Sequence, residues 1–390
     1  MVRRGRAESG RGVTSGTPAV SESEIAAAAD GGYETSGWLR LGRDGRLTAY
    51  ASCAEGVVRW TESAPGSDVW RGPDLFRVEG WGGRFTLAQD SHGFVWFAGT
   101  RYRDDAPGGL EFVITAQYQT GRPLGDWRTV GNPFPPAEGP APDQGDPVVL
   151  PDGSGSLHVL VTRFGVGVRG RTQGADGTWG SWTDYQGKWV RGAVVPLVTS
   201  QGRAEFLAPF RGGASYWGQD GPGRVFRWLG RTEAEAVEGT YSTYETALGI
   251  GTHFWRHPAD GSVIAYRPQR GAGGVTGGLM PLGGAGGVGP VGVTRAHVNG
   301  YDCTVLLQRG AEGYPEIAAY PTHGEQYGAW WAPVGERCAG LPAIALDGRG
   351  SITIAMIGED GGLRIARQDL ADVGQTGQAG LGFDAWRRVG

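Results

Sequence analysis

A turn glycine followed by a strand-like alternation of apolar residues recurs seven times along the 390-residue chain. The glycines are Gly45, Gly93, Gly153, Gly202, Gly251, Gly300 and Gly348, spaced by 48, 60, 49, 49, 49 and 48 residues. A period of this size marks a repeat architecture, in which each unit buries its apolar faces against its neighbours. Strand signals fill every unit, so the unit is a small sheet. The seventh unit is the clearest. Residues 340–346 read as an innermost strand, 351–356 and 363–368 as the next two, and 383–390 as the outer strand. The sequence predicts an all-β fold: a single seven-bladed β-propeller of four-stranded antiparallel blades over residues 37–390. Residues 1–36 are set apart as a flexible N-terminal leader. Short helices are expected only at 23–30 and 232–237. The one long spacing is explained by proline-rich insertions at 104–107 and 133–142.

Composition fits this reading. Glycine supplies 73 residues, with no collagen-like period, and 15 Trp, 13 Tyr and 12 Phe exclude a disordered low-complexity chain. Basic and acidic residues nearly balance, 36 against 40, which argues against a nucleic-acid or anionic-membrane partner. No apolar run reaches membrane-spanning length, and residues 25–29 are too short for a signal-peptide core. A cytoplasmic location is therefore expected. Cys53, Cys303 and Cys338 lie far apart, with no metal-ligand spacing and no even count, so three free thiols and no metal are expected.

The recurring plan is carried in unit seven by Gly340, Pro342, Ala343, Asp347, Gly348, Asp360, Gly361, Leu363, Gln368, Trp386 and Gly390. Unit three repeats it with Pro147, Asp152, Gly153, Gln173, Trp179 and Trp182, and unit six with Gly289, Pro290, Trp330, Trp331 and Gly335. This pattern resembles the seven-bladed PLL-type lectins, fucose-binding propellers of insect-associated bacteria. The resemblance spans about 350 residues as architecture and implies a sugar or small-molecule ligand. Its motifs are turn and packing residues, specific for the fold rather than the activity. At mid-strand the units differ from one another, with Tyr50, Phe97, Leu160, Phe206, Trp255, Leu306 and Ala355 on their second strands. Such divergence suits one asymmetric site.

No nucleotide, phosphate-loop, zinc-protease or serine-hydrolase signature occurs, so no cofactor is expected. His253 and Trp255 share one strand face by the period of two, with His257 next on that face, where imidazoles beside an indole suit ligand binding or proton transfer. Glu111 and Asp302 are further acid–base candidates on strands. Tyr216 and Trp217 join Trp255 and His253 as candidate ligand contacts, since a sugar ring stacks on an aromatic face. Unit five is the most degenerate, with 271–292 nearly a glycine loop and no outer-strand Trp. Three readings stay open: a lectin-like carbohydrate or small-ligand binder, a cofactor-independent cyclase, lyase or hydrolase acting on a natural product at the tunnel mouth, and a protein-interaction scaffold.

Overall fold

The computed structural model describes residues 20–31, 37–103, 109–134, 144–271, 274–369 and 380–390. Seven four-stranded antiparallel sheets follow one another along the chain, each built from consecutive strands. Blade 1 holds β1 (Leu39–Leu41), β2 (Leu47–Cys53), β3 (Gly56–Glu62) and β4 (Trp70–Arg77). Blade 2 holds β5 (Trp81–Gln89), β6 (Val95–Tyr102), β7 (Leu110–Gln117) and β8 (Arg128–Thr129). Blade 3 holds β9 (Val148–Pro151), β10 (Leu157–Arg163), β11 (Gly167–Gln173) and β12 (Thr183–Gln186). Blade 4 holds β13 (Val195–Val198), β14 (Ala204–Phe210), β15 (Gly213–Gly218) and β16 (Arg227–Glu233). In blade 5, β17 (Ser242–Ala247), β18 (Ile250–Arg256) and β19 (Val263–Tyr266) are completed by β22 (Leu279–Pro281), after an inserted hairpin of β20 (Gln269–Gly271) and β21 (Gly274–Thr276). Blade 6 holds β23 (Val288–Val298), β24 (Tyr301–Arg309), β25 (Pro315–Pro321) and β26 (Ala332–Pro333). Blade 7 holds β27 (Ala343–Leu346), β28 (Ile352–Ile357), β29 (Leu363–Arg367) and β30 (Arg387–Val389).

The innermost strands from β5 to β27 contact one another in sequence around an axis, β27 returns to β1, and β5 meets blade 1 at β2. This is the expected seven-bladed propeller. Its apolar residues form seven clusters, one in each seam between neighbouring blades. The second strand of each blade is covered on both faces, so β2 and β28 are buried along their whole length, while outer strands such as β8 and β16 reach the solvent. The seven mid-strand residues from Tyr50 to Ala355 are all buried seam residues.

Helix α1 (Glu22–Gly31) falls close to the expected span within the leader and packs on β2 and β28, across the seam between blades 7 and 1. A capping box starts it: Glu24 N–H donates to Ser21 Oγ, and Ser21 N–H donates to Glu24 Oε2 at 3.1 Å. The leader is therefore placed against the propeller over 20–31, while 1–19 and 32–36 lie outside the described residues, as do 104–108 and 135–143 of the two insertions. The helix expected at 232–237 is not formed. β16 runs to Glu233, and Ala234 and Ala236 pack alternately on the seam between blades 4 and 5, an extended period of two.

The turn assigned to Gly251 is also corrected: Gly251 lies inside β18, and the turn is Leu248–Gly249, with Gly249 at φ +70°. Gly153 and Gly348 do lie in their turns. A Cβ on Gly153 would sit 2.6 Å from Gly202 Cα, so this glycine allows the turns of neighbouring blades to touch. Among the described residues no helix is long and apolar enough to cross a membrane. Cys53, Cys303 and Cys338 are free and buried.

Candidate functional site

The residues singled out in the sequence do not converge. Trp255 is 1% exposed and packs with Tyr216, Tyr266 and Leu207 in the seam between blades 4 and 5. His253, also 1% exposed, meets the Tyr216 ring edge-on at 5.0 Å, and neither of its nitrogens has a hydrogen-bond partner among the described residues. The strand-parity argument put His253 and Trp255 on one face correctly, but that face is the blade interior, closed to solvent by blade 4. His257 stands just past β18 at the surface, its Nδ1 3.7 Å from Asp260. Glu111 pairs with Arg101 across β6 and β7 at 2.6 Å. Asp302 is held below the usual carboxylate range by a two-pronged pair with Arg295. Of these seven, Trp217 lines a surface groove.

Burial pushes the His253 imidazole down to about 3, so it stays neutral in the folded chain at ordinary pH. In the unfolded chain it titrates near 6.5. The unfolded state thus binds more protons between these values, and stability is lost as pH falls below about 6.5, by about 1.4 kcal/mol per pH unit. His253→Leu removes two unpartnered buried nitrogens and is expected to stabilise by about 1–2 kcal/mol at neutral pH. It should also lose less stability than the wild type between about pH 7 and about pH 5 in urea unfolding.

Two concavities are candidate sites. The first lies on the axis, where the innermost strands of blades 2 to 6 meet around a cavity of about 320 Å³. Phe85, Leu87, Val148 and Tyr241 give it a mainly apolar wall. Arg84 Nε stands 3.5 Å from Asp146 Oδ2, and burial raises the Asp146 carboxyl above its ordinary value. The second is a groove of about 500 Å³ at the rim between blades 3 and 4. Tyr185 comes from β12, Trp217 from β15, and Phe226 and Trp228 from the edge of β16. Trp217 stacks on Phe206 at 5.2 Å with the rings 8° apart, and Tyr185 and Phe226 close the box edge-on. Its cross-strand partner Trp228 is 61% exposed.

Most outer-strand tryptophans do fill seams, as a once-per-blade aromatic would: Trp70, Trp127, Trp179, Trp182, Trp331 and Trp386 all pack against seam clusters. Trp228 and Trp330 do not. Two local irregularities accompany the groove. The register of β15 and β16 shifts between Tyr216 and Trp217, a bulge that re-aims the side chains beside it. Gln186, on the opposite wall, holds φ +64°, an uncommon conformation for a residue with a side chain. Asp184, Gln186 and Ser215 add polar groups to the lining, and burial pushes the Tyr185 phenol up to about 12. No sequence motif marked Tyr185, and Trp228 read only as the packing tryptophan of an outer strand, because their juxtaposition depends on two blades meeting. The one available signal was the pair Trp217 and Trp228 on adjoining strands of one repeat.

Fold and concavities together define a seven-bladed propeller with a polar–aromatic rim groove and an axial cavity. No known protein family matches the sequence, and no curated protein is similar to it. Among solved structures, the chain is similar to the BP39L lectin from Burkholderia pseudomallei, with TM-score 0.64 and 12% identity over 92% of this chain and 100% of that one. It is also similar to the Hadza microbial sialidase Hz136, with TM-score 0.48 and 10% identity over 86% and 65%. A third similar chain is the SapL1 lectin in complex with alpha methyl fucoside, with TM-score 0.43 and 10% identity over 78% and 95%. At such identities the likeness is one of fold, and at that level it agrees with the resemblance to PLL-type lectins.

Proposed function

We propose that this propeller binds carbohydrate in the rim groove between blades 3 and 4. The observation that carries the reading is Trp228, an exposed indole at the edge of a box of buried aromatics. The C–H face of a pyranose stacks on such a ring, while carboxylate, amide and hydroxyl groups take its hydroxyls. Asp184, Gln186 and Ser215 are placed for that second task. Trp217 forms the floor, held by its stack on Phe206. The fold supports the same class of ligand, since the Burkholderia pseudomallei propeller it is similar to is a lectin. A glycan panel read by tryptophan fluorescence tests the reading. Trp228→Ala should weaken the best-bound saccharide roughly tenfold or more, while leaving stability within about 0.5 kcal/mol because the ring is exposed. Unchanged affinity in a folded variant would remove the groove from consideration.

A second reading rests on Asp146. A carboxyl whose pKa is raised by burial, in an apolar axial cavity beside a guanidinium, suits acid–base catalysis on a small molecule. Asp146→Asn should abolish turnover under this reading and leave saccharide affinity untouched under the first.

A further inference from the structure

The rim groove between blades 1 and 2 has a different chemistry. Its walls are β3 and β4 of blade 1 and the 119–123 stretch of blade 2, around about 850 Å³. Four arginines line it, Arg46, Arg59, Arg71 and Arg122, against a single carboxylate, Asp74. Arg46 is neutralised by Asp44 at 2.7 Å, and Arg59 by Asp74 at 2.5 Å. That leaves Arg71 and Arg122 with no ion-pair partner among the described residues. The floor carries unmet hydrogen-bonding capacity as well. Arg59 is 4% exposed, and beside it Thr61 is 3% exposed; among the described residues the Arg59 Nε–H has no acceptor and the Thr61 hydroxyl no partner.

A buried donor without an acceptor costs on the order of 1–3 kcal/mol unless something satisfies it, and two extra guanidinium charges at the same place repel one another. A planar guanidinium fork matches the oxygens of a carboxylate, sulfate or phosphate. We propose that this groove is a binding site for a small ligand bearing an oxyanion. The anionic group is held by Arg71 and Arg122, reaches the Arg59 Nε–H and the Thr61 hydroxyl, and rests its remaining body on Phe76 and Pro73. Asp74 is a competitor for Arg59 at this site. The proposal is independent of the groove between blades 3 and 4.

Calorimetric titration of the full chain at low ionic strength tests it, with inorganic sulfate, glucuronate and glucose as probes. Sulfate or glucuronate should bind and glucose should not, and whichever anion binds more tightly identifies the group the site takes. Affinity should fall with added salt. Arg71→Ala with Arg122→Ala should weaken the anion at least roughly tenfold, with melting unchanged because both side chains are exposed. Asp74→Asn frees Arg59 and should tighten the anion several-fold; loss of a merely structural carboxylate would not. Trp228→Ala should leave anion binding unaltered. Failure of both anions to bind, insensitivity to the double substitution, or weaker binding in Asp74→Asn would each overturn the proposal.

Discussion

Arg256→Met is expected to cost about 2–4 kcal/mol, because each buried acceptor left without its charged donor costs on the order of 1–3 kcal/mol, partly offset by no longer burying a cation. The guanidinium is 1% exposed, deep in the seam between blades 5 and 6. It donates through Nε to Gly289 O at 2.7 Å, through Nη1 to Gln308 Oε1 at 2.7 Å and Gly261 O at 3.1 Å, and through Nη2 to Val288 O at 3.2 Å. Methionine keeps much of the length and leaves those four acceptors unpaired. Burial already draws this guanidinium down to about 10, which measures how little water reaches it. The same contact explains why the sequence is glycine-rich here. A Cβ on Gly287 would sit 2.4 Å from Arg256 Nη1, and Gly284, at φ +70°, would press a Cβ within 2.7 Å of the Trp331 ring. The stretch that read as a degenerate blade edge is, over 287–289, a backbone cradle for one cation, while Gly283 and Gly284 make room for the Trp331 ring. Denaturant unfolding measures the loss, and a cost below about 1 kcal/mol would contradict this account.

The second large effect concerns ring closure. Blade 1 and blade 7 are each made by one end of the described chain, so no shared strand locks them together. Helix α1 takes that role. Ile25 is fully buried among Trp38, Ala339, Ala343 and Ile357. The Trp38 indole N–H donates to Leu341 O at 2.9 Å across the same seam, and Arg388 pairs with Glu22. Gly361 sits at φ +80°, with Glu22 O 1.8 Å from where a Cβ would stand. Ile25→Ala should cost about 2–5 kcal/mol, the range for emptying a packed aliphatic site. Removal of residues 1–31 should lower the melting point further and expose the seam to protease. A truncated chain that melts like the full one would show that the helix is an ornament to the ring.

The period of 49 residues made the fold legible, because each blade needs a turn at the same place and a second strand covered on both sides. Even the motif residues find their physical reasons. Asp152, at the turn of blade 3, takes Ser154 and Ser156 N–H groups and reaches Gln219 Nε2 of blade 4 at 2.9 Å. Gly335 lets the Trp386 ring of the next blade lie against its backbone. The site was less legible. Alternation tells which side chains share a face, and for His253 and Trp255 it did so correctly, yet it carries no information about which blade covers that face. Arg256 stood between two nominated residues and passed unnoticed, since its partners are three backbone carbonyls and the Gln308 amide, five to 52 residues away. The rim grooves are likewise products of two repeats meeting: Tyr185 faces Trp217 only because blade 3 docks on blade 4.

The most direct test of the account is a crystal of the protein grown with its best-bound saccharide. The expected result is a pyranose ring over Trp228, with its hydroxyls on Asp184, Gln186 or Ser215 and the axial cavity free of sugar. A saccharide seated instead on the axis, between Arg84 and Asp146, with nothing over Trp228, would contradict it.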